Sequence, residues 1–234
     1  MKIGILEAGH PPESLRREFG SYGEMFISLL NGHNFKYQLF DVENMQFPNS
    51  TNEADGWLIT GSKHGVYEEH QFIKPLEKFV LEVYSKNIPL IGICFGHQII
   101  AQALGGQVEK FKDGWSIGRQ VYNLCEKPDV VSINAWHQDQ ITKLPRDATI
   151  IAENDFCKYA GIRYTKAAMT FQGHPEYGHK FIDGLVETRG KGVVPENLLK
   201  KAQMEMKKPL SQKFFANKMA KFFEQNKLGQ NVKK

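Results

Sequence analysis

The chain has 234 residues, 41% of them hydrophobic, which suits an ordinary soluble core of one large domain. It contains no apolar run of the roughly 18 residues a membrane span needs, and Met1 to Leu6 is too short an apolar stretch for a signal peptide, so neither a membrane nor a secretory route is expected and the expected location is the cytoplasm. The net charge of +4 is uneven: residues 189–234 carry 12 Lys/Arg against 3 Asp/Glu, leaving 18 against 23 before them, and the tail lysines have the spacing of the wet sides of amphipathic helices rather than of a nucleic-acid-binding face.

In chain order, Lys2 to Leu6 reads as a strand, followed by a polar, Pro-containing loop through Gly20 and an apolar-periodic helix from Tyr22 to Leu30. Lys36 to Phe40 is a second strand and Gly56 to Ile59 a third, ending in Thr60-Gly61-Ser62. Ile73, Leu76, Phe79, Val80 and Val83 recur at helical spacing and lead to a buried strand over Pro89 to Ile93, with a helix from Gln98 to Leu104 after it. This alternation implies an α/β fold with a mixed, mostly parallel central sheet flanked by helices. Between Gln107 and Met169 the pattern changes to short strands, Ile117 to Leu124, Val130 to Trp136, Thr149 to Glu153, Tyr159 to Arg163 and Ala168 to Phe171, which implies an antiparallel extension. Helices are expected over Glu176 to Glu187, Pro195 to Met206 and Leu210 to Phe223, the last with Phe215, Met219, Phe222 and Phe223 on one face; Gln225 to Lys234 is expected to fray.

The three cysteines, Cys94, Cys125 and Cys157, have no paired spacing, and no Cys/His cluster has zinc spacing, so no disulfide framework, metal or cofactor is expected. Cys94 stands out because it closes a buried strand and opens a helix. Gly92 and Gly96 flank it with the spacing of the G-x-S-x-G nucleophile elbow, where missing β-carbons permit a sharp turn under the nucleophile. The N-terminus of a helix favours negative charge and therefore the thiolate. A buried, inert core cysteine is the alternative. A nucleophilic thiol needs a base and a group that orients the base. His174 and Glu176, two apart in an extended segment just past a strand end, project to the same side and can supply both.

Gly92-Ile93-Cys94-Phe95-Gly96-His97-Gln98 together with Gly173-His174-Pro175-Glu176 resembles the class I glutamine amidotransferase family, of the GMP synthase amidotransferase-domain type and with a flavodoxin-like fold, in order over most of the chain. The resemblance implies a single amidotransferase domain over residues 1–225, including a helical segment at 194–224, with a frayed tail at 226–234. It implies a triad of Cys94 as nucleophile, His174 as base and then acid, and Glu176 as orienting carboxylate, acting on a γ-carboxamide through a γ-glutamyl thioester. The tetrahedral oxyanion of that reaction needs preplaced N–H donors, for which the amides of Gly61 and Phe95 are candidates. By the same resemblance Gln98, His137 and Asp139 hold the α-amino and α-carboxylate groups of a small γ-glutamyl substrate such as glutamine. His137 is the alternative base, though no carboxylate follows it as Glu176 follows His174.

Many ammonia-donating members have a Gly-Gly-Pro stretch where this chain has Thr60-Gly61-Ser62, and the stretches Asp113 to Gly118 and Gln172 to Tyr177 look most like stand-alone members, including γ-glutamyl peptidases. Three readings follow. The chain hydrolyses γ-glutamyl amide bonds on its own, or delivers ammonia to a separate synthase subunit, or is a binding or regulatory protein on a degenerate amidotransferase fold. Retention of Cys94, His174 and Glu176 favours the first two.

Overall fold

The computed structural model describes residues 1–231, with side chains through residue 227. The chain runs β1 (Lys2–Leu6), α1 (Glu13–Phe19), α2 (Tyr22–Leu29), β2 (Lys36–Phe40), β3 (Gly56–Ile59), α3 (Ile73–Ser85), β4 (Leu90–Ile93) and α4 (Phe95–Ala103). It continues with β5 (Gln107–Lys110), β6 (Ser116–Leu124), β7 (Val130–His137), β8 (Asp139–Lys143), β9 (Ala148–Glu153), β10 (Gly161–Tyr164) and β11 (Ala168–Phe171). α5 (His179–Leu185), a π-helical turn (Val186–Gly190), α6 (Glu196–Met204) and α7 (Gln212–Asn231) complete the described chain.

Nine strands form one sheet in the order β2-β1-β3-β4-β11-β10-β9-β6-β7. The first five pair in parallel and the rest antiparallel, which is the mixed sheet and extension that the sequence pattern implies. The inner parallel strands β1, β3, β4 and β11 are largely apolar because both faces are covered, whereas the edge strand β2 is mostly half-buried or exposed. On one face Trp57, Ile59 and Leu90 meet Phe79 and Val80 of α3 and Ile99 and Ile100 of α4. On the other, Ile3, Ile5, Leu58 and Ile91 meet Phe26 of α2 and Phe215, Met219, Phe222 and Phe223 of α7. The aromatic stripe of α7 is thus core packing, with each such side chain contributing roughly 2 kcal/mol by leaving water.

Two ladder registers position the site. Ile59 of β3 pairs with Gly92 of β4, and Ile93 of β4 pairs with Phe171 of β11. The strand ends carrying Gly61, Cys94 and His174 therefore lie side by side at the carboxyl edge of the parallel sheet, the edge where open α/β sheets bind ligands.

Several boundaries differ from the sequence expectation. The expected loop before Gly20 contains α1, whose only buried residue is Leu15, so its single inward contact gave no periodicity to read. α4 begins at Phe95 rather than Gln98, immediately after Cys94. β5 and β8 form a separate two-stranded ribbon in which β5 buries only Val108, too weak a pattern to register as a strand. α7 extends to Asn231, so the segment expected to fray from Gln225 begins inside a helix; the remainder of that segment, 232–234, lies outside the described residues. Among the described residues no helix is long and apolar enough to cross a membrane.

Candidate active site

Cys94 adopts φ 54° and ψ −105°, a left-handed conformation that strains any residue with a β-carbon. The glycines around it make that turn possible. A β-carbon on Gly92 would lie 2.3 Å from the Gly96 carbonyl oxygen, and one on Gly96 would lie 2.3 Å from the Ile59 carbonyl oxygen. The Cys94 amide donates to the Phe171 carbonyl at 2.9 Å and the Gly96 amide to the Thr60 carbonyl at 3.1 Å, which ties the turn to both neighbouring strand ends. Among the described residues the Gly61 and Phe95 amides have no acceptor, as two donors kept for a ligand would require.

His174 and Glu176 follow β11. The His174 amide donates to the Asn134 carbonyl of β7 at 2.7 Å, so the segment is held against the antiparallel half of the sheet. His174 Nδ1 lies 2.6 Å from Glu176 Oε1, with both side chains almost wholly buried, and the ring stands beside Cys94. Gly61 packs against the same group, since a β-carbon there would lie 2.8 Å from His174 Cε1 and 3.7 Å from Cys94 Cβ. Burial opposes a charge on His174, but the Glu176 carboxylate and the Cys94 sulfur outweigh it and raise the imidazole to about 10. Cys94, His174 and Glu176 are thus brought together in the order thiol, imidazole, carboxylate.

A cavity of about 490 Å³ opens over Cys94, and its lining includes Gln98, Trp136, His137, Asp139, Tyr22, Tyr177 and Arg189. Gln98 is buried and donates through Nε2 to the Asp139 carbonyl at 2.9 Å and to Gln172 Oε1 at 3.1 Å. Asp139 accepts from the Tyr67 hydroxyl at 3.0 Å, and burial raises its carboxyl group. His137 Nδ1 lies 3.2 Å from the Asp139 carbonyl, while its Nε2 is buried without a partner. Burial, and then the charge on His174, push His137 down to about 3, leaving it neutral. It has no carboxylate partner, which separates it from His174 as a base. His97 faces away from the cavity, with Nδ1 2.7 Å from Thr170 Oγ1, and burial pushes it down to about 3.

Three cavity residues are not foreseen as site residues. The Tyr177 ring stacks on His174 at 3.9 Å between centroids and 3° between planes, and its centroid lies 6.0 Å from that of Tyr22. Arg189 donates to the Tyr22 hydroxyl at 3.2 Å and to the His10 carbonyl at 2.8 Å. Tyr177 could have been suspected from its place beside Glu176. Arg189 carried no sequence signal, because a π-helical turn aims it at the cavity.

Fold and site together define an α/β protein with a thiol elbow over the carboxyl edge of its parallel strands. The chain belongs to the glutamine amidotransferase class-I family, whose model matches residues 18–185. A glutamine amidotransferase-like protein of Schizosaccharomyces pombe is 29% identical over 94% of this chain and 97% of its own length. Gamma-glutamyl peptidase 2 of Arabidopsis thaliana is 29% identical over 88% of this chain and 89% of its own. The glutamine-hydrolysing GMP synthase of Macrococcus caseolyticus is 28% identical over 70% of this chain but only 29% of its own length. A solved glutamine amidotransferase from Thermotoga maritima has the same fold, with a TM-score of 0.74 at 24% identity over 97% of this chain and 98% of that one.

Proposed function

We propose that the protein hydrolyses γ-glutamyl amide bonds, in glutamine or in γ-glutamyl peptides, without a partner. The observation that carries this reading is the left-handed turn at Cys94, with His174 beside the sulfur and Glu176 2.6 Å behind the imidazole. Strain of this kind persists only where the surroundings enforce it, and here it presents a sulfur at a helix N-terminus.

In this reading the sulfur attacks the γ-carbonyl carbon, and the oxyanion that forms accepts from the Gly61 and Phe95 amides. His174, held protonated by its partners, first acts as an acid and gives its proton to the leaving nitrogen as the carbon–nitrogen bond breaks. The neutral imidazole then takes a proton from water, which attacks the γ-glutamyl thioester; glutamate leaves, and the sulfur and the imidazolium are restored. Gln98, His137 and Asp139 are proposed to bind the α-amino and α-carboxylate groups, in keeping with their place in the cavity lining and their contacts through the Asp139 carbonyl. Two near-full-length relatives with amidotransferase-like or peptidase names support partner-independent action.

The GMP synthase relatives favour a second reading, in which ammonia passes to a separate synthase subunit. The test follows free glutamate released from glutamine, glutathione and a γ-glutamyl dipeptide, with an α-glutamyl dipeptide as control. Release from γ-linked substrates by the purified protein supports hydrolysis alone. Release from none of them, restored by a synthase-containing extract, supports the second reading, and cleavage of the α-linked control overturns both.

A further inference from the structure

The loop between β3 and α3 gathers chemistry that the catalytic reading does not use. His64, Glu68 and His70 each offer one ligand atom, and these atoms lie within 4.8 Å of one another. We propose that they form a binding site for a divalent transition cation of the zinc class. Two imidazole nitrogens and a carboxylate oxygen are the donors such an ion accepts, with bonds of about 2.0–2.2 Å that put neighbouring donors about 3.3 Å apart in a tetrahedron. Glu68 Oε2 stands 2.8 Å from His70 Nε2 and 3.8 Å from His64 Nδ1, so these two spacings bracket that value. The loop is itself ordered by turn bonds from the Glu68 amide to the Gly65 carbonyl and from the His64 amide to Ser62 Oγ.

A second carboxylate separates this cluster from a chance surface grouping. His64 Nε2 lies 2.8 Å from Glu43 Oε1, and both side chains are only 15% exposed. That contact favours the proton on Nε2 and leaves the Nδ1 lone pair facing Glu68. A carboxylate on the far nitrogen is the usual device for orienting a metal-bound histidine and raising its basicity. Lys63 approaches Glu43 at 3.5 Å, but Asp41 and Glu43 also pair with His10, so the surroundings hold more carboxylates than fixed positive charges. Three protein donors leave one coordination position for water. Because His64, Tyr67 and Glu68 also line the cavity over Cys94, a cation here would pin that wall in place.

The test uses the full chain carrying Cys94→Ser, so that the elbow thiol takes no metal. Zinc is measured by equilibrium dialysis, and cobalt(II) serves as a spectroscopic probe of tetrahedral geometry. One zinc per chain and a tetrahedral cobalt spectrum are expected, both lost in His64→Ala and in His70→Ala, with Glu43→Gln weakening zinc binding about 10–100-fold. His70 is the more exposed histidine and gives the same reading if His64→Ala fails to fold. Absence of zinc from the parent, zinc retained by the double histidine variant, or full affinity in Glu43→Gln overturns the proposal.

Discussion

Adding one methyl group at Gly92 tests the elbow without touching any reacting atom. Its β-carbon would lie 2.3 Å from the Gly96 carbonyl oxygen, 2.5 Å from the Gly96 carbonyl carbon and 2.6 Å from Ile100 Cδ1. Ordinary contact begins at 3.4 Å, so about 1 Å must be found. The first two obstacles are backbone, which no rotamer change relieves. Gly92 and Gly96 bracket Cys94, so the displacement falls on the sulfur. A 1 Å misplacement of a reacting group costs on the order of 100-fold in rate. Overpacking costs about 1–3 kcal/mol of stability, which leaves a typical domain folded. Gly92→Ala is therefore expected to stay folded, losing no more than that in denaturant unfolding, while kcat/KM for glutamate release falls about 100-fold. Gly178→Ala is the control, since a β-carbon there meets nothing within 4 Å although it lies two residues from Glu176. Wild-type kcat/KM in Gly92→Ala would refute the idea that the turn holds the sulfur in its working position.

Cys94 should react with a glutamine-like electrophile far faster than Cys157, which is buried with its thiol pushed up to about 12, and faster than exposed Cys125; equal labelling of all three in peptide mass spectrometry would count against the elbow. Glu176→Gln should retain measurable glutamate release where His174→Ala does not, because water or geometry replaces an orienting group more readily than a base; a fatal His137→Ala with a mild His174→Ala would reverse the assignment. Stability should peak near pH 6.5. His97 and His137, depressed to about 3, take up protons on unfolding between there and 6.5, so stability rises with pH on that limb; His174, raised to about 10, loses its stabilising contribution as pH climbs from 6.5 through 10. Denaturant unfolding across pH 4–9 measures both limbs, and stability still rising above pH 7.5 would contradict the His174 environment.

The sequence made the parallel core and the elbow legible because each rests on local rules. Strands buried on both faces are continuously apolar, and a turn like that at Cys94 demands small neighbours at fixed spacing. His174 and Glu176 were legible for the same reason, being two residues apart in extended chain. What escaped depends on contacts between distant segments. α1 turns only Leu15 inward, and β5 only Val108. Arg189 reaches Tyr22 and His10 across more than 160 residues. The His64, Glu68 and His70 cluster lacked cysteine and a familiar spacing, and its supporting carboxylate, Glu43, comes from another part of the chain.

The ladder between β4 and β11 has a consequence for how such a protein can diversify. Paired strands hold the sulfur and the imidazole in register, yet the chain leaves after β4, builds everything from α4 to β10, and returns only at β11. Beyond the Gly96 turn and the Asn134 carbonyl that accepts from the His174 amide, that excursion can change in length or sequence without moving the two groups relative to each other, provided it delivers β11 to the same partner. It also carries Trp136, His137 and Asp139, which line the cavity. These cavity-lining residues are thus separable from the strand ends that hold the sulfur and the imidazole, and exchanging the excursion beyond those two anchors between relatives is expected to alter the first while leaving the second alone.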